Sequence, residues 1–171
     1  MFFHQVSYNF TSGEEKVLLD ETDRKILAAL QSEGRLSVTD LAERVNLSLS
    51  PCHRRLRSLE QSGVIKGYRA QLDHGAIGLG FYAIVFVTLR ESDRHAVGAF
   101  EAAVAGLPQV IQAQRLFGEP DYLLHVVSTD LPTFQRLYDT SLSALPCVQR
   151  LNSTLVMKTV VADRPLPVVS T

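Results

Sequence analysis

An α+β chain in two parts is what this sequence predicts: a three-helix unit, then a sandwich ordered βαββαβ. Three observations predict it. Caps and stops divide residues 20–67 into three helix-sized pieces, the third loaded with arginine. Past Gly75, Gly78 and Gly80 the pattern changes to strand-length runs of Val, Ile, Phe and Tyr separated by helical spacing. Finally, the corner Gly106-Leu107-Pro108-Gln109-Val110 is echoed 38 residues later by Ala144-Leu145-Pro146-Cys147-Val148. Such an echo marks two βα-rich halves of a ferredoxin-like split βαβ unit.

Residues 1–17 show no sustained periodicity and read as a flexible tail. Asp20 caps the first helix, with Asp23 favouring the positive end of its dipole, Ile26, Leu27 and Leu30 at helical spacing, and Gly34 as the stop. Ser37-Val38-Thr39-Asp40 resembles a capping box with Asp in place of Glu, so a second helix runs to about Val45 with Leu41, Ala42 and Val45 buried. Asn46 and Leu47 turn the chain. Ser48 or Ser50 caps the third helix, Pro51 takes its first position, where a missing N–H is harmless, and Gly63 ends it. Val64 to Leu72 is expected as a strand, and Asp73 to Gly80 as a hinge.

Two helices joined by a short turn form the arrangement whose second helix enters a DNA major groove. At 100° per residue, Cys52, Leu56 and Leu59 share the inward face of the third helix. Ser50, Arg54, Arg57, Ser58 and Gln61 point the other way, with His53 and Arg55 on the flanks. Arginine forks onto guanine and hydroxyls serve phosphate or base edge, so this face, with Ser48, Lys66 and Arg69, is the candidate DNA-binding surface. Between Arg44 and Arg69 six basic residues face one acid, Glu60, a window of +5 in a chain of −1, leaving −6 elsewhere. That asymmetry is the footprint of a DNA-reading module joined to one with another task. The competing reading is a merely solvated helix face.

In the second part, strands are expected at Phe81–Arg90, Gln109–Phe117, Tyr122–Ser128 and Val148–Val160. Helices are expected at Asp93–Ala105, with Val97, Phe100 and Val104 inward, and at about Pro132–Ser143, burying Phe134, Leu137, Tyr138 and Leu142. The implied domains are 18–70, a linker 71–80, and 81–163, with tails 1–17 and 164–171. Both helices on one sheet face leave the other face uncovered. An apolar uncovered face pairs with a copy of itself, which predicts a homodimer whose two helices read a pseudo-palindromic operator in double-stranded DNA.

The remaining composition narrows the class. A hydrophobic content of 46% with 20% charged residues is ordinary for a globular protein. No apolar run approaches the ~20 residues that span a bilayer, and the first residues do not read as an export signal, so a cytoplasmic location without membrane contact is expected. Cys52 and Cys147 lack CxxC spacing, and His4, His53, His74, His95 and His125 are isolated, so no metal or other cofactor is expected.

Leu19-Asp20, Asp23-Arg24-Lys25-Ile26-Leu27, Gly34-Arg35-Leu36-Ser37, Leu41-Ala42, Leu47-Ser48-Leu49-Ser50-Pro51-Cys52, Arg55-Leu56, Leu59-Glu60, Gly63-Val64-Ile65 and Gly67-Tyr68 resemble the Lrp/AsnC feast/famine regulators. The second part resembles that family's amino-acid-sensing module, with Gly118-x-x-Asp121-Tyr122-Leu123-Leu124 as its effector loop. The resemblance spans about Leu18 to Pro165. It implies a winged-type helix-turn-helix, dimers that assemble into octamers or similar rings, and a small-molecule effector, usually an amino acid, held between dimers. Asp121 would take an ammonium group, and backbone groups around Gly118 and Tyr122 a carboxylate. A turn built for its own sake is the plain alternative for Gly118 and Asp121. Where family members place hydroxyls at the start of the last strand, this chain has Leu151, Asn152 and Ser153, so Ser153 alone carries one.

Two other readings share these residues. The sirohaem decarboxylases resemble both parts, but need histidine or arginine gripping tetrapyrrole carboxylates, which His95 and His125 do not visibly supply together. A redox regulator would use Cys52 or Cys147. Cys52 falls on the inward face, and Cys147 lacks a basic neighbour before Arg150.

Overall fold

A computed structural model describes residues 17–91 and 93–168. Residues 17–70 and 163–168 form one unit, and residues 71–162 the other. Most of the expected N-terminal tail, and His4, lie outside the described residues.

The helical unit holds α1 (Glu21–Ser32), α2 (Val38–Arg44) and α3 (Leu49–Gln61). Its boundaries follow the caps. At Asp20 the side chain accepts from the Asp23 amide at 2.8 Å, and Asp23 returns the bond to the Asp20 amide at 3.2 Å, a capping box built from two aspartates. Ser37 caps α2. Ser48, not Ser50, occupies the N-cap of α3, so Pro51 sits at the third helical position instead of the first. Its missing N–H is still one of the orphans of the opening turn. Asn46 between the helices takes φ +56°, a left-handed setting that asparagine tolerates. Gly63 follows α3 at φ +73°, the glycine C-terminal signature. Ile26, Leu41, Cys52 and Leu59 form the centre of the unit's core.

Val64 to Leu72 forms no strand, contrary to expectation. An extended run needs a ladder partner for its amides, and among the described residues none pairs with it. Residues 73–79 are a bonded turn: Asp73 Oδ1 accepts from the Ala76 amide at 2.9 Å, and the Leu79 amide donates to the His74 carbonyl at 2.8 Å. The segment after Asp163 groups with the helical unit. There the Gln31 carboxamide accepts from the Leu166 amide and donates to its carbonyl, at 2.6 and 3.2 Å.

The second unit contains β1 (Phe81–Leu89), α4 (Arg94–Ala105), β2 (Val110–Arg115), β3 (Tyr122–Ser128), α5 (Leu131–Leu137) and β4 (Val148–Leu155). Their antiparallel sheet runs β2-β3-β1-β4. α5 stops earlier than expected, passing into a π-helical turn at Tyr138–Leu142 closed by the Ser143 amide on the Tyr138 carbonyl at 2.9 Å. The wider turn seats Leu142 in the core with no exposure. The two echoed corners behave alike. Leu107 and Leu145 both pack on the core, while the carbonyls of Gln109 and Cys147 accept from Val127 and Arg90 amides on neighbouring chain.

Register sorts the sheet's two faces. Ala83, Val85 and Val87 pair with Val126, Leu124 and Tyr122, and this face packs on Val97, Phe100 and Val104 of α4 and Phe134 and Leu137 of α5. Tyr82, Ile84 and Phe86, paired with Val127, His125 and Leu123, form the opposite face, which carries neither helix. No helix among the described residues is long and apolar enough to cross a membrane.

Candidate nucleic-acid interface and ligand loop

α3 presents Ser48, Ser50, His53, Arg54, Arg57, Ser58 and Gln61 to solvent, while Cys52, Leu56 and Leu59 are buried. Burial follows the helical angle, so the outward face is the one the residue spacing implies. Lys66 and Arg69 are exposed on the strandless segment that follows.

Arg55 departs from the expected DNA-binding set. Its Nη1 donates to Asp20 Oδ2 at 2.6 Å and to Asp23 Oδ1 at 2.9 Å, locking the middle of α3 to the cap of α1. The Asp23 amide, and then Arg55, hold the Asp20 carboxyl below the usual carboxylate range. A depressed pKa contributes stability at neutral pH that is lost as pH falls below about 3.8, the ordinary value, and on through the lowered one. Arg55→Ala is therefore expected to lower the unfolding temperature of the helical unit and to flatten its acid limb, as thermal scans between pH 7 and 2.5 would show. A variant as stable as the parent at neutral pH would contradict this.

A second basic residue of the +5 window is also taken. Arg44 Nη2 lies 2.8 Å from Glu33 Oε2. Two of six cations are thus committed to acids outside the window, leaving Arg54, Arg57, Lys66 and Arg69 without ion pairs among the described residues. Sequence reasoning also missed Tyr68. Its hydroxyl donates to Glu60 Oε1 at 3.1 Å, and burial, aided by Glu60, pushes its pKa up to about 12. That contact fastens the segment bearing Lys66 and Arg69 to the end of α3 and occupies the window's single acid. Beside Arg54 and Ser58 opens a cleft of about 350 Å³, lined also by Leu18, Leu19, Asp23 and Arg55.

The loop between β2 and β3 contains Gly118 at φ +126°, where only glycine is comfortable, followed by a cis Glu119–Pro120 bond. Asp121 closes it. Its amide donates to the Val87 carbonyl at 2.9 Å, its carbonyl accepts from Leu116 at 2.7 Å, and its Oδ2 accepts from the Leu89 amide at 2.8 Å. That last bond sits where β1 shifts register against β4, satisfying an amide the irregularity would otherwise strand. Tyr122 is a core residue: its ring packs on Phe100 at 4.6 Å and its hydroxyl donates to Glu101 at 2.8 Å. Burial, then Glu101, raise its pKa well above the ordinary value, and the buried side chain is already engaged by Phe100 and Glu101. Ser153 does not join these residues within one chain. It lies on β4 opposite Val85 of β1, on the far side of β1 from Asp121, roughly 10 Å across the sheet and three residues, roughly 10 Å, along it. Arg150 of β4 does reach the loop, at 2.8 Å from Glu119.

The rival readings find little support. His95 lies on α4, which packs on one sheet face, and His125 belongs to the other. Cys52 has no exposure, and burial pushes its thiol pKa up, away from thiolate chemistry.

Comparison with known proteins agrees with this geometry. Residues 19–66 match a family described as winged helix-turn-helix DNA-binding, and residues 82–166 match the Lrp/AsnC ligand binding domain. The chain is 40% identical over 145 residues to a leucine-responsive regulatory protein of Rhizobium meliloti, covering 85% of this chain and 93% of that one. It is 40% identical over 144 residues to a proline dehydrogenase transcriptional activator of Rhodobacter capsulatus, covering 84% and 94%. Among solved structures, a transcriptional regulator of Neisseria meningitidis in complex with L-Met superposes with a TM-score of 0.83 at 39% identity, over 88% of this chain and 97% of that one. An AsnC family regulator from Agrobacterium tumefaciens gives 0.81 at 31%, over 87% and 97%. These relatives are named as regulators of transcription. This chain belongs to the Lrp/AsnC family and is a DNA-binding transcriptional regulator with a winged helix-turn-helix and a ferredoxin-like second domain.

Proposed function

We propose that this regulator reads a pseudo-palindromic operator through α3, and that an amino acid bound near the Gly118–Asp121 loop changes its assembly or its affinity for DNA. The observation that carries the reading is the outward face of α3, where Arg54 and Arg57 stand exposed while the neighbouring Arg55 is tied to α1. In this reading the exposed Ser50, Arg54, Arg57, Ser58 and Gln61 meet base edges and phosphates, and Ser48, His53, Lys66 and Arg69 flank them.

The helix-free face of the sheet joins two copies in this reading. Tyr82, Ile84, Phe86, Leu123 and Val127 make its apolar centre, edged by Gln112 and Gln114 of β2 and by Asn152 and Thr154 of β4. An apolar stripe whose polar borders carry one cation, Arg150, already paired with Glu119, is complementary to itself about a two-fold axis. Dimers then gather into larger rings, octamers being the family-like size, in the cytoplasm where the DNA lies. A second copy could supply what one chain lacks around the loop, since Ser153 and Asp121 do not converge within it.

For the ligand, the L-Met complex of the Neisseria regulator supports an amino acid as the chemical class. In Asp121→Asn, the amide oxygen can still accept from the Leu89 amide while the charge that would hold an ammonium is gone. DNA affinity without effector is expected to stay within about twofold, and the thermal shift given by amino acids to disappear. A saturating effector, at 100 times its dissociation constant, stabilises the parent by ~2.7 kcal/mol. Persistence of the full shift in the variant would place the ligand elsewhere.

A further inference from the structure

The helix-free sheet face carries one histidine at its centre. His125 stands on β3 opposite Ile84 of β1, between Leu123 and Val127 on the same face. Its Nδ1 is hydrogen-bonded to the Tyr82 hydroxyl, and the two rings stack at 5.8 Å and 29°. From β1 the other neighbours on this face, Ile84 and Phe86, are apolar. From β2, Gln112 and Gln114 lie alongside, and neither titrates. From the turn before β1, His74 meets the edge of Tyr82 at 6.2 Å. Arg150, on β4, is paired with Glu119 at 2.8 Å. No carboxylate on these strands faces His125, so nothing on its own sheet offsets a positive charge there.

We propose that His125 makes self-association of this chain acid-sensitive: neutral, it is part of the apolar face that pairs with a second copy, and protonated, it drives the copies apart. The inference rests on the sheet-to-sheet dimer proposed above. A neutral imidazole with its proton on Nε2 accepts the Tyr82 hydroxyl at Nδ1. Protonation fills Nδ1, removes that acceptor, and places a cation in each of two facing apolar stripes.

Burial already pushes the His125 pKa below 6.5 in the single chain. Covering the face with a second copy removes more water and lowers it further. A pKa lower in the pair than in the separated chains means that separated chains bind the proton better. Association is then fully present above about pH 6.5 and is lost as pH falls through the lowered value. The Asp20 cap titrates below 3.8, so the two effects are separable.

Sedimentation velocity of the full chain at pH 7.5 and 5.5, with circular dichroism to verify folding, tests this. The parent is expected to be measurably weaker in self-association at pH 5.5 than at pH 7.5. His125→Gln, which cannot charge, is expected to stay associated at both, and His74→Gln to respond like the parent. Should His125→Gln fail to associate at all, Tyr82→Phe decides. Losing the hydroxyl that favours neutral His125 is expected to move the transition to higher pH, and an unmoved transition overturns the proposal. A parent equally associated at both pH values overturns the acid switch and leaves the dimer standing. A parent monomeric at both sinks the dimer itself.

Discussion

Phe100→Ala is expected to lower the stability of the sheet unit by about 3–5 kcal/mol. Phe100 has no exposure, lies in the middle of α4, and packs its ring against Tyr122 at 4.6 Å. Around it Val85, Leu124, Val97 and Val104 form a single cluster. Truncation removes the largest fully buried side chain among the described residues and leaves a void between α4 and the sheet. The loss also loosens Tyr122, whose hydroxyl bond to Glu101 depends on the ring's position. Most domains are stable by only ~5–15 kcal/mol, so the variant stands near the threshold of folding. Phe100→Leu keeps most of the volume and should cost markedly less. Urea titration of both variants checks the order, and a Phe100→Ala loss below about 1 kcal/mol would mean this core is not what holds α4 to the sheet.

Arg54→Ala is expected to weaken specific DNA binding by ~1–3 kcal/mol, roughly 5- to 150-fold. The side chain is exposed, lies on the outward face of α3, and forms no ion pair among the described residues, so truncation disturbs little in the free protein. The contrast with Arg55→Ala is informative. Arg55 is spent on Asp20 and Asp23, and its removal should act first on stability and only secondarily on affinity. Anisotropy titrations on a selected operator and on random duplex separate the roles of Arg54. A loss confined to the operator identifies a base contact, equal losses identify a phosphate contact, and no loss on either contradicts its place at the interface.

The parts of this molecule legible in its sequence were those governed by local rules. Asp20 and Ser37 announce helix starts, Gly63 a stop, and the 3.6-residue spacing of Cys52, Leu56 and Leu59 the inward side of α3. β3 could be placed to the residue, because Gly118 and Pro120 punctuate one end and apolar density fills the rest. What stayed hidden depends on partners distant along the chain. Nothing local separates Arg55 from Arg54 or Arg57; only the return of α3 past the α1 cap does, across 35 residues to Asp20. Arg44 was counted as free for the same reason. The strand expected at 64–72 failed because alternation describes a strand's faces but not whether a neighbour exists to pair with. Asp121 could be read as a ligand group or as a turn residue, and its bond to the Leu89 amide adds a third, structural role that no spacing encodes.

The claim beneath all of this is that the outward cationic face of α3 lies against duplex DNA. The most direct test is the salt dependence of binding to a selected duplex, from 50 to 200 mM, for the parent and for Arg54→Ala/Arg57→Ala. The expected result is a straight fall of log K with log salt, whose slope in the double variant is shallower by about 0.9 for each phosphate contact removed. Affinity indifferent to salt, or both affinity and slope unchanged when both arginines are gone, would contradict it.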